Sequence, residues 1–219
     1  QYARFSDERT RPFFELVSRV AAAAPARVVD LGCGTGALTA TLRDRWPAAE
    51  IVGMDSSASM LAEAVDAGVR FEQGDIASWS PSTSVDVVLS NAALQWVPGH
   101  LAMLERFVSW WPAHGGWLAF QVPGNFTAPS HVLLTELIES ARWRDRVPNE
   151  GHPSVHSLAD YAAALAALGL HVDAWETTYL QMLVGPDAVL EWMKGTTLRP
   201  VLTALDQPER EAFLAEYGA

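Results

Sequence analysis

The sequence predicts an α/β protein with a doubly wound, mainly parallel sheet and a helical cap, and three observations carry that prediction. Short apolar runs, "RVVDL", "EIVGMD" and "VDVVLSNAAL", alternate with helical stretches of about ten residues, the pattern of βαβ units. The runs are apolar at successive positions, so both faces of their sheet are covered. Turn residues follow directly on the first of them, in the stretch "DLGCGTG". Right-handed crossovers complete the expectation.

The elements follow in order. Phe13, Leu16, Val17 and Val20 recur at helical spacing and place a helix over 12–23, with Pro12 near its start. A buried strand spans 27–31, and a helix over 37–45 stops before Pro47. A second strand covers 50–55, a helix 57–67 ends at Gly68, and "VRFEQGD" is a third strand. "VDVVLSNAAL" is the fourth, residues 99–111 a helix, and "GGWLAFQV" a fifth strand after the Gly115–Gly116 turn. Beyond Pro123 the spacing places a helix over 130–143, then an irregular basic loop, "RWRDRVPNEGHPSVH". A helix with a capping box at Ser157 and Asp160 closes at Gly169. A long strand, "HVDAWETTYLQML", and helices near 187–194 and 207–217 finish the chain. The organisation expected is one domain over 1–219, with a cap-like insertion at about 124–168 and a C-terminal helical segment at about 186–219.

Composition narrows the function. Hydrophobic residues at 49% and charged residues at 19% allow a large core and argue against disorder. A net charge of -11 makes nucleic acid and anionic membranes poor partners, although a local arginine cluster can still bind a small anion. One cysteine, Cys33, excludes an internal disulfide and fits a reducing compartment. The chain opens "QYARFSDERTRPF", with charges where an apolar leader would begin, and its apolar stretches are too short to span a bilayer. A cytoplasmic location is the expectation.

The chemistry centres on "DLGCGTG". Its glycines are spaced GxGxG, whereas a dinucleotide fingerprint is GxGxxG, and the third dinucleotide position falls on Ala37. No GK[ST] follows, so a phosphate-cradling loop is excluded. Asp30, Asp55 and Asp75 close three successive strand runs, and Asp55 lies at about the spacing at which a carboxylate meets a ribose diol. Each acid alone reads equally well as a helix cap. Three carboxylates around one turn suit a cationic ligand with hydroxyls and an amino group better than a pyrophosphate. S-adenosyl-L-methionine (SAM) has that chemistry.

"VVDLGCGTG", "GMDSSASML", "EQGDIASW" and "DVVLSNAALQWV" together resemble the class I SAM-dependent methyltransferases. "YARFSDERTRP", "LQW", "VPGNFTAPSH", "TTYLQML" and "LRP" are similar to the trans-aconitate methyltransferases within that family, nearly end to end. The resemblance implies that Asp30, Gly32, Gly34 and Gly36 face the methionine part of SAM and that Asp55 takes its ribose. It further implies Ser56 and Met60 near ribose and adenine, Asp75 and Ile76 at the adenine edge, and Asn91 at the methionine end. The family's final antiparallel strand has no counterpart before "FLAEYGA".

On the acceptor side there is no Ser-His-Asp or Cys-His arrangement and no metal-ligand spacing. A carboxylate acceptor needs neither, being ionised at pH 7. Gln95 and Trp96 carry NH donors that suit a carboxylate, although Trp96 reads as well as a packing residue. The resemblance implies that this segment meets the acceptor. A polycarboxylate also needs cations. Arg199 is the first candidate and His131 the next, with Arg9 and Arg11 in the N-terminal segment, where Tyr2, Phe5 and Arg11 suit a lid, while Arg142, Arg144 and Arg146 read as a solvated face. Gln95, Trp96 and Arg199 are thus the expected catalytic set. Cys33 is expected to pack rather than react, and no metal is expected. The reaction expected is monomethyl ester formation on trans-aconitate or a related small acid. Another small-molecule carboxyl or hydroxyl acceptor, or a SAM-binding module without turnover, remains open.

Overall fold

A computed structural model describes residues 6–64, 68–147, 154–195 and 197–218. Five parallel strands form one sheet: β1 (Arg27–Leu31), β2 (Glu50–Asp55), β3 (Arg70–Gln73), β4 (Val87–Asn91) and β5 (Trp117–Gln121). Their spatial order is β3-β2-β1-β4-β5, so the chain reverses its direction of travel between β1 and β4. Leu31 pairs with Met54, Asp55 with Gln73 and Asn91 with Gln121. That register brings all five carboxyl ends to one edge, where open α/β sheets hold ligands.

The strands are made by burial. β1 is buried along its whole length, and Val87 to Ser90 of β4 are buried as well. One face packs Val28, Ile51, Val87 and Leu89 with Phe13 and Val17 of α1 (Ser6–Ser18) and Leu42 of α2 (Ala37–Arg45). The other packs Val29, Leu31, Val52 and Val88 with Leu104 and Phe107 of α4 (His100–Ser109). At the amino edge the Asp86 carboxylate accepts from the Ala26 and Arg27 amides, and Arg27 reaches Glu50 at 2.8 Å. That contact holds the Glu50 carboxyl below its ordinary range.

The chain divides into two compact units. One comprises residues 10–123 and 153–176: the sheet, its flanking helices and α6 (Leu158–Ala167), whose expected capping box at Ser157 and Asp160 is present. The other comprises residues 1–9, 124–152 and 177–219. It carries α5 (Pro129–Glu139), α7 (Ala188–Lys194), α8 (Arg199–Ala204) and α9 (Gln207–Tyr217) around a core of Trp143, Leu198 and Phe213.

Several elements differ from expectation. The helix expected over 57–67 is one turn, α3 (Ala58–Leu61), and residues 65–67 lie outside the described set. α1 begins before Pro12 and ends at Ser18, where the Arg19 and Val20 amides bond three residues back and tighten the last turn. α5 stops at Glu139, short of 143, and α8 was not expected. β3 ends at Gln73, because Gly74 tucks under the Trp79 ring and Asp75 starts a turn whose carbonyl receives the Ser78 and Trp79 amides. The long strand over 171–183 is absent: the segment has no regular structure. Within it Leu180 and Met182 are exposed at 91% and 88%, so these apolar side chains join no core. Among the described residues no strand pairs with it.

Candidate active site

The glycine turn leaves β1 at Leu31 and is held almost wholly by backbone. The Gly32 and Cys33 amides donate to the Met54 carbonyl at 2.7 and 3.0 Å, and the Gly36 amide closes the turn onto the Cys33 carbonyl. Gly32, Gly34 and Gly36 all have φ between 59° and 77°, the left-handed region open to glycine. Space is as restrictive as torsion. A Cβ on Gly32 would lie 2.2 Å from the Ala93 Cβ, and one on Gly36 would lie 2.3 Å from the Phe71 ring. Gly34 differs, meeting only the Met60 sulfur at 3.6 Å.

Asp55, closing β2, is half-buried and ties the turn to the next strand. One carboxylate oxygen accepts from the Gly34 amide at 2.8 Å and the other from the Ser57 amide at 2.8 Å. Each oxygen keeps a further lone pair, as a diol requires. Asp30 behaves differently. It is buried inside β1, and its carboxylate accepts from the Thr39 hydroxyl of α2 at 2.6 Å. Burial, outweighing the Thr39 bond and reinforced by the Asp55 charge, pushes it up to about 6. Burial and the same two aspartates push the Cys33 thiol far above its ordinary range, so it is a packing residue.

Asp75 and Ile76 sit in the turn after β3, with Asp75 exposed and Ile76 buried. Arg106 of α4 holds this turn by donating to the Ile76 and Ala77 carbonyls. Ser56 is exposed, and its carbonyl receives the Gln73 amide at 3.2 Å. Asn91 ends β4, and its Oδ1 is buried with no hydrogen-bond partner among the described residues.

Gln95 and Trp96 lie in a 3-10 turn, Leu94–Trp96, just beyond β4. Gln95 is buried. Its amide nitrogen donates to the Ala92 carbonyl at 2.7 Å and its Oε1 has no partner among the described residues. Trp96 is 48% exposed, which suits a contact surface better than a core residue. Ala92 takes φ 53°, a strained value for a residue with a Cβ, and turns the chain sharply into this segment.

The other candidates belong to different elements of the chain. Arg11 is exposed on α1 and pairs with Glu15 at 3.0 Å. Tyr2 and Phe5 lie outside the described residues. His131 belongs to the second unit, half-buried against the edge of Phe126, and burial lowers its pKa. Arg199, in that same unit, is exposed at the start of α8. Arg142 and Arg146 pair with Glu216 and Glu209 of α9. Two residues missed from sequence are Thr39 and Arg106. Both support the site from other elements, and neither has a local motif to mark it.

The edge offers three positive-φ glycines, a carboxylate with free lone pairs and an orphan amide oxygen at the end of β4. A family model described as a methyltransferase domain matches residues 3–174. The trans-aconitate 2-methyltransferase of Streptomyces avermitilis is 49% identical over 231 aligned residues, covering 99% of this chain and 85% of that one. That of Rhodococcus jostii is 49% identical over 219 residues, covering 99% and 86%. The chain belongs to the methyltransferase family of these relatives. In fold it is similar to the solved complex of the Haloferax volcanii Trm112 methyltransferase activator with a methyltransferase, at TM-score 0.58 and 24% identity over 78% of this chain and 73% of that one. It is a SAM-dependent methyltransferase, with SAM as its cofactor. The residues present fit that group. Gly34 of the turn has room beside it, with only the Met60 sulfur near, 3.6 Å from a Cβ position, and the buried Asn91 Oδ1 offers an acceptor to a donor such as an ammonium.

Proposed function

We propose that this methyltransferase esterifies one carboxylate of trans-aconitate or a closely related small polycarboxylic acid. The observation that carries the reading is near end-to-end similarity, at 49% identity, to proteins named for that activity. SAM supplies an electrophilic methyl group when bound. The chain's own task is then positional, because a carboxylate is already a nucleophile at pH 7 and needs no general base. Around the proposed acceptor position Cys33 is held protonated, and Gln95 and Trp96 are neutral hydrogen-bond donors.

In this reading Gly32, Gly34 and Gly36 with Asn91 hold the methionine part of SAM. Asp55 holds the ribose, with Ser56 and Met60 alongside, and Asp75 and Ile76 border the adenine. Asp30 acts from behind the turn, through Thr39 and its charge, rather than by direct contact. Gln95 and Trp96 orient the acceptor carboxylate. Arg199, His131 and Arg11 are the cations proposed for the remaining carboxylates. A single cysteine, and no helix among the described residues long and apolar enough to cross a membrane, support a cytoplasmic location.

The test is incubation with methyl-labelled SAM and a panel of di- and tricarboxylic acids, with product analysis by mass spectrometry. Base-labile monomethyl ester from trans-aconitate is expected. Label on a hydroxyl acid's alcohol, or on no acid at all, overturns the reading. Arg199→Ala is expected to raise the acceptor KM about tenfold while SAM affinity is kept.

A further inference from the structure

Behind the Leu94–Trp96 turn lies a buried polar chain that the methyl-transfer reading does not use. His100, the first residue of α4, has no exposed surface, and Tyr161 of α6 is buried beside it. One ring nitrogen of His100, Nδ1, is 3.1 Å from the Val97 carbonyl, and the other, Nε2, is 2.7 Å from the Tyr161 hydroxyl. The Tyr161 oxygen in turn accepts from the His156 amide at 3.3 Å.

The partners fix the protons. A carbonyl can only accept, so Nδ1 carries the hydrogen. Burial, the largest influence on this ring, disfavours its charged form, so Nε2 is bare and accepts the Tyr161 O–H. The chain therefore runs one way: His156 N–H to Tyr161, Tyr161 O–H to His100, His100 Nδ1–H to Val97. The rings pack in the same order. His100 and Tyr161 stack at 5.7 Å, and the His156 ring stands edge-on to both at 5.3 and 5.6 Å. A second bond runs parallel, from the Ser154 amide to the Gln95 carbonyl at 2.8 Å. Residues 154–156 are thus fastened at both ends to the turn that carries Gln95 and Trp96.

We propose that Tyr161 and His100 are positioning residues that set the Gln95–Trp96 turn for the acceptor. This rests on the reading that the turn meets the acceptor. The segment is one 3-10 turn entered through a strained Ala92, and the Trp96 and Val97 amides and the Gln95 side chain bond within it. On one side of Trp96 the Ser154 amide bonds the Gln95 carbonyl, and on the other the His100 ring joins its own backbone amide on the Val97 carbonyl.

Two measurements on the full chain test it. Long-range proton–nitrogen NMR of histidine-labelled protein, with His100→Asn to assign the signal, is expected to show His100 protonated on Nδ1 and bare on Nε2. A proton on Nε2 overturns the relay. Tyr161→Phe keeps the aromatic packing and removes one O–H. It is expected to move the Gln95 side-chain amide resonance and raise the trans-aconitate KM at least fivefold, with SAM affinity within twofold. His100→Asn combined with Tyr161→Phe is expected to cost no more than the worse single change, as for residues acting as a unit. An unmoved Gln95 resonance with unchanged KM overturns the proposal. If instead Tyr161→Phe moves that resonance while Trp96→Ala leaves acceptor kinetics unchanged, the relay stands and the acceptor role of the turn fails.

Discussion

The glycine turn and the Leu94–Trp96 turn follow neighbouring strands, β1 and β4, at one edge of the sheet, yet they are held by different means. The first is held by its immediate neighbours in the fold: amides onto the Met54 carbonyl and onto Asp55, with glycine torsions doing the rest. The second has its own 3-10 bonds and is tied further by His100 of α4, backed by Tyr161 of α6, and by the Ser154 amide. A turn made by its own residue types leaves a motif in the chain. A turn made by distant partners leaves only a histidine and a tyrosine among unrelated residues. That is the physical reason one was legible in the sequence and the other was read as a pair of side chains without a frame.

The largest expected effect comes where the two turns touch. Gly32→Ala forces a positive φ on alanine and drives its Cβ to 2.2 Å from the Ala93 Cβ, just ahead of the second turn. Torsional strain and overpacking together are expected to cost about 3 kcal/mol or more of stability. SAM affinity should fall at least a hundredfold, and acceptor kinetics should suffer as well. Calorimetry with SAM and thermal unfolding check this. Full SAM affinity in the variant would show that the turns are independent.

Asp30 sharpens what holds the first turn from behind. Its folded pKa, about 6, lies above that of an aspartate in the unfolded chain, so the folded protein binds more protons between about pH 4 and 6. Stability is therefore lost as pH rises through that window, and the cost is fully present above it. The ceiling is roughly 3 kcal/mol. Asp30→Asn keeps an acceptor for Thr39 and removes the charge. Its stability relative to wild type is expected to rise from pH 4.5 to pH 7 in urea unfolding. A difference independent of pH would show that Asp30 is not ionised at a cost.

Asp55→Ala acts on the first turn alone. It removes the partner of the Gly34 and Ser57 amides, which costs about 1–2 kcal/mol of stability. It also removes the proposed ribose contact, and SAM affinity is expected to fall about thirtyfold or more by calorimetry. Asp55→Asn, which keeps an acceptor but loses the charge, should fall between. Unchanged affinity in both would refute the ribose assignment.

How much could be read in advance follows the same division. β1, α2 and β2 appear over 27–31, 37–45 and 50–55 as the patterns predict, because burial on both faces and a proline stop are local facts. The capping box at Ser157 is equally local. The 171–183 segment fails because period-two alternation describes a surface that fits a sheet, not the presence of a neighbour to pair with. By spacing alone Asp30 is one more acid at a strand end. That Thr39, nine residues on, turns its carboxylate inward depends on how α2 packs on β1, which no spacing rule states.

The smallest effect is expected at the residue that first looks most reactive. Cys33 sits inside the glycine turn, but the turn uses its backbone: the amide donates to Met54 and the carbonyl accepts from Gly36. Its sulfur packs near Gly53, where a Cβ would lie 3.0 Å away, and burial beside Asp30 and Asp55 keeps it protonated. Cys33→Ala preserves both backbone bonds and removes only one partly buried sulfur, so a loss of about 1 kcal/mol of stability or less is expected. SAM affinity should stay within twofold, and the wild-type thiol should resist Ellman's reagent at pH 8 until the protein unfolds. Rapid labelling of the folded chain, or a large loss of SAM binding in Cys33→Ala, would mean that the turn works through this side chain as well as through its backbone.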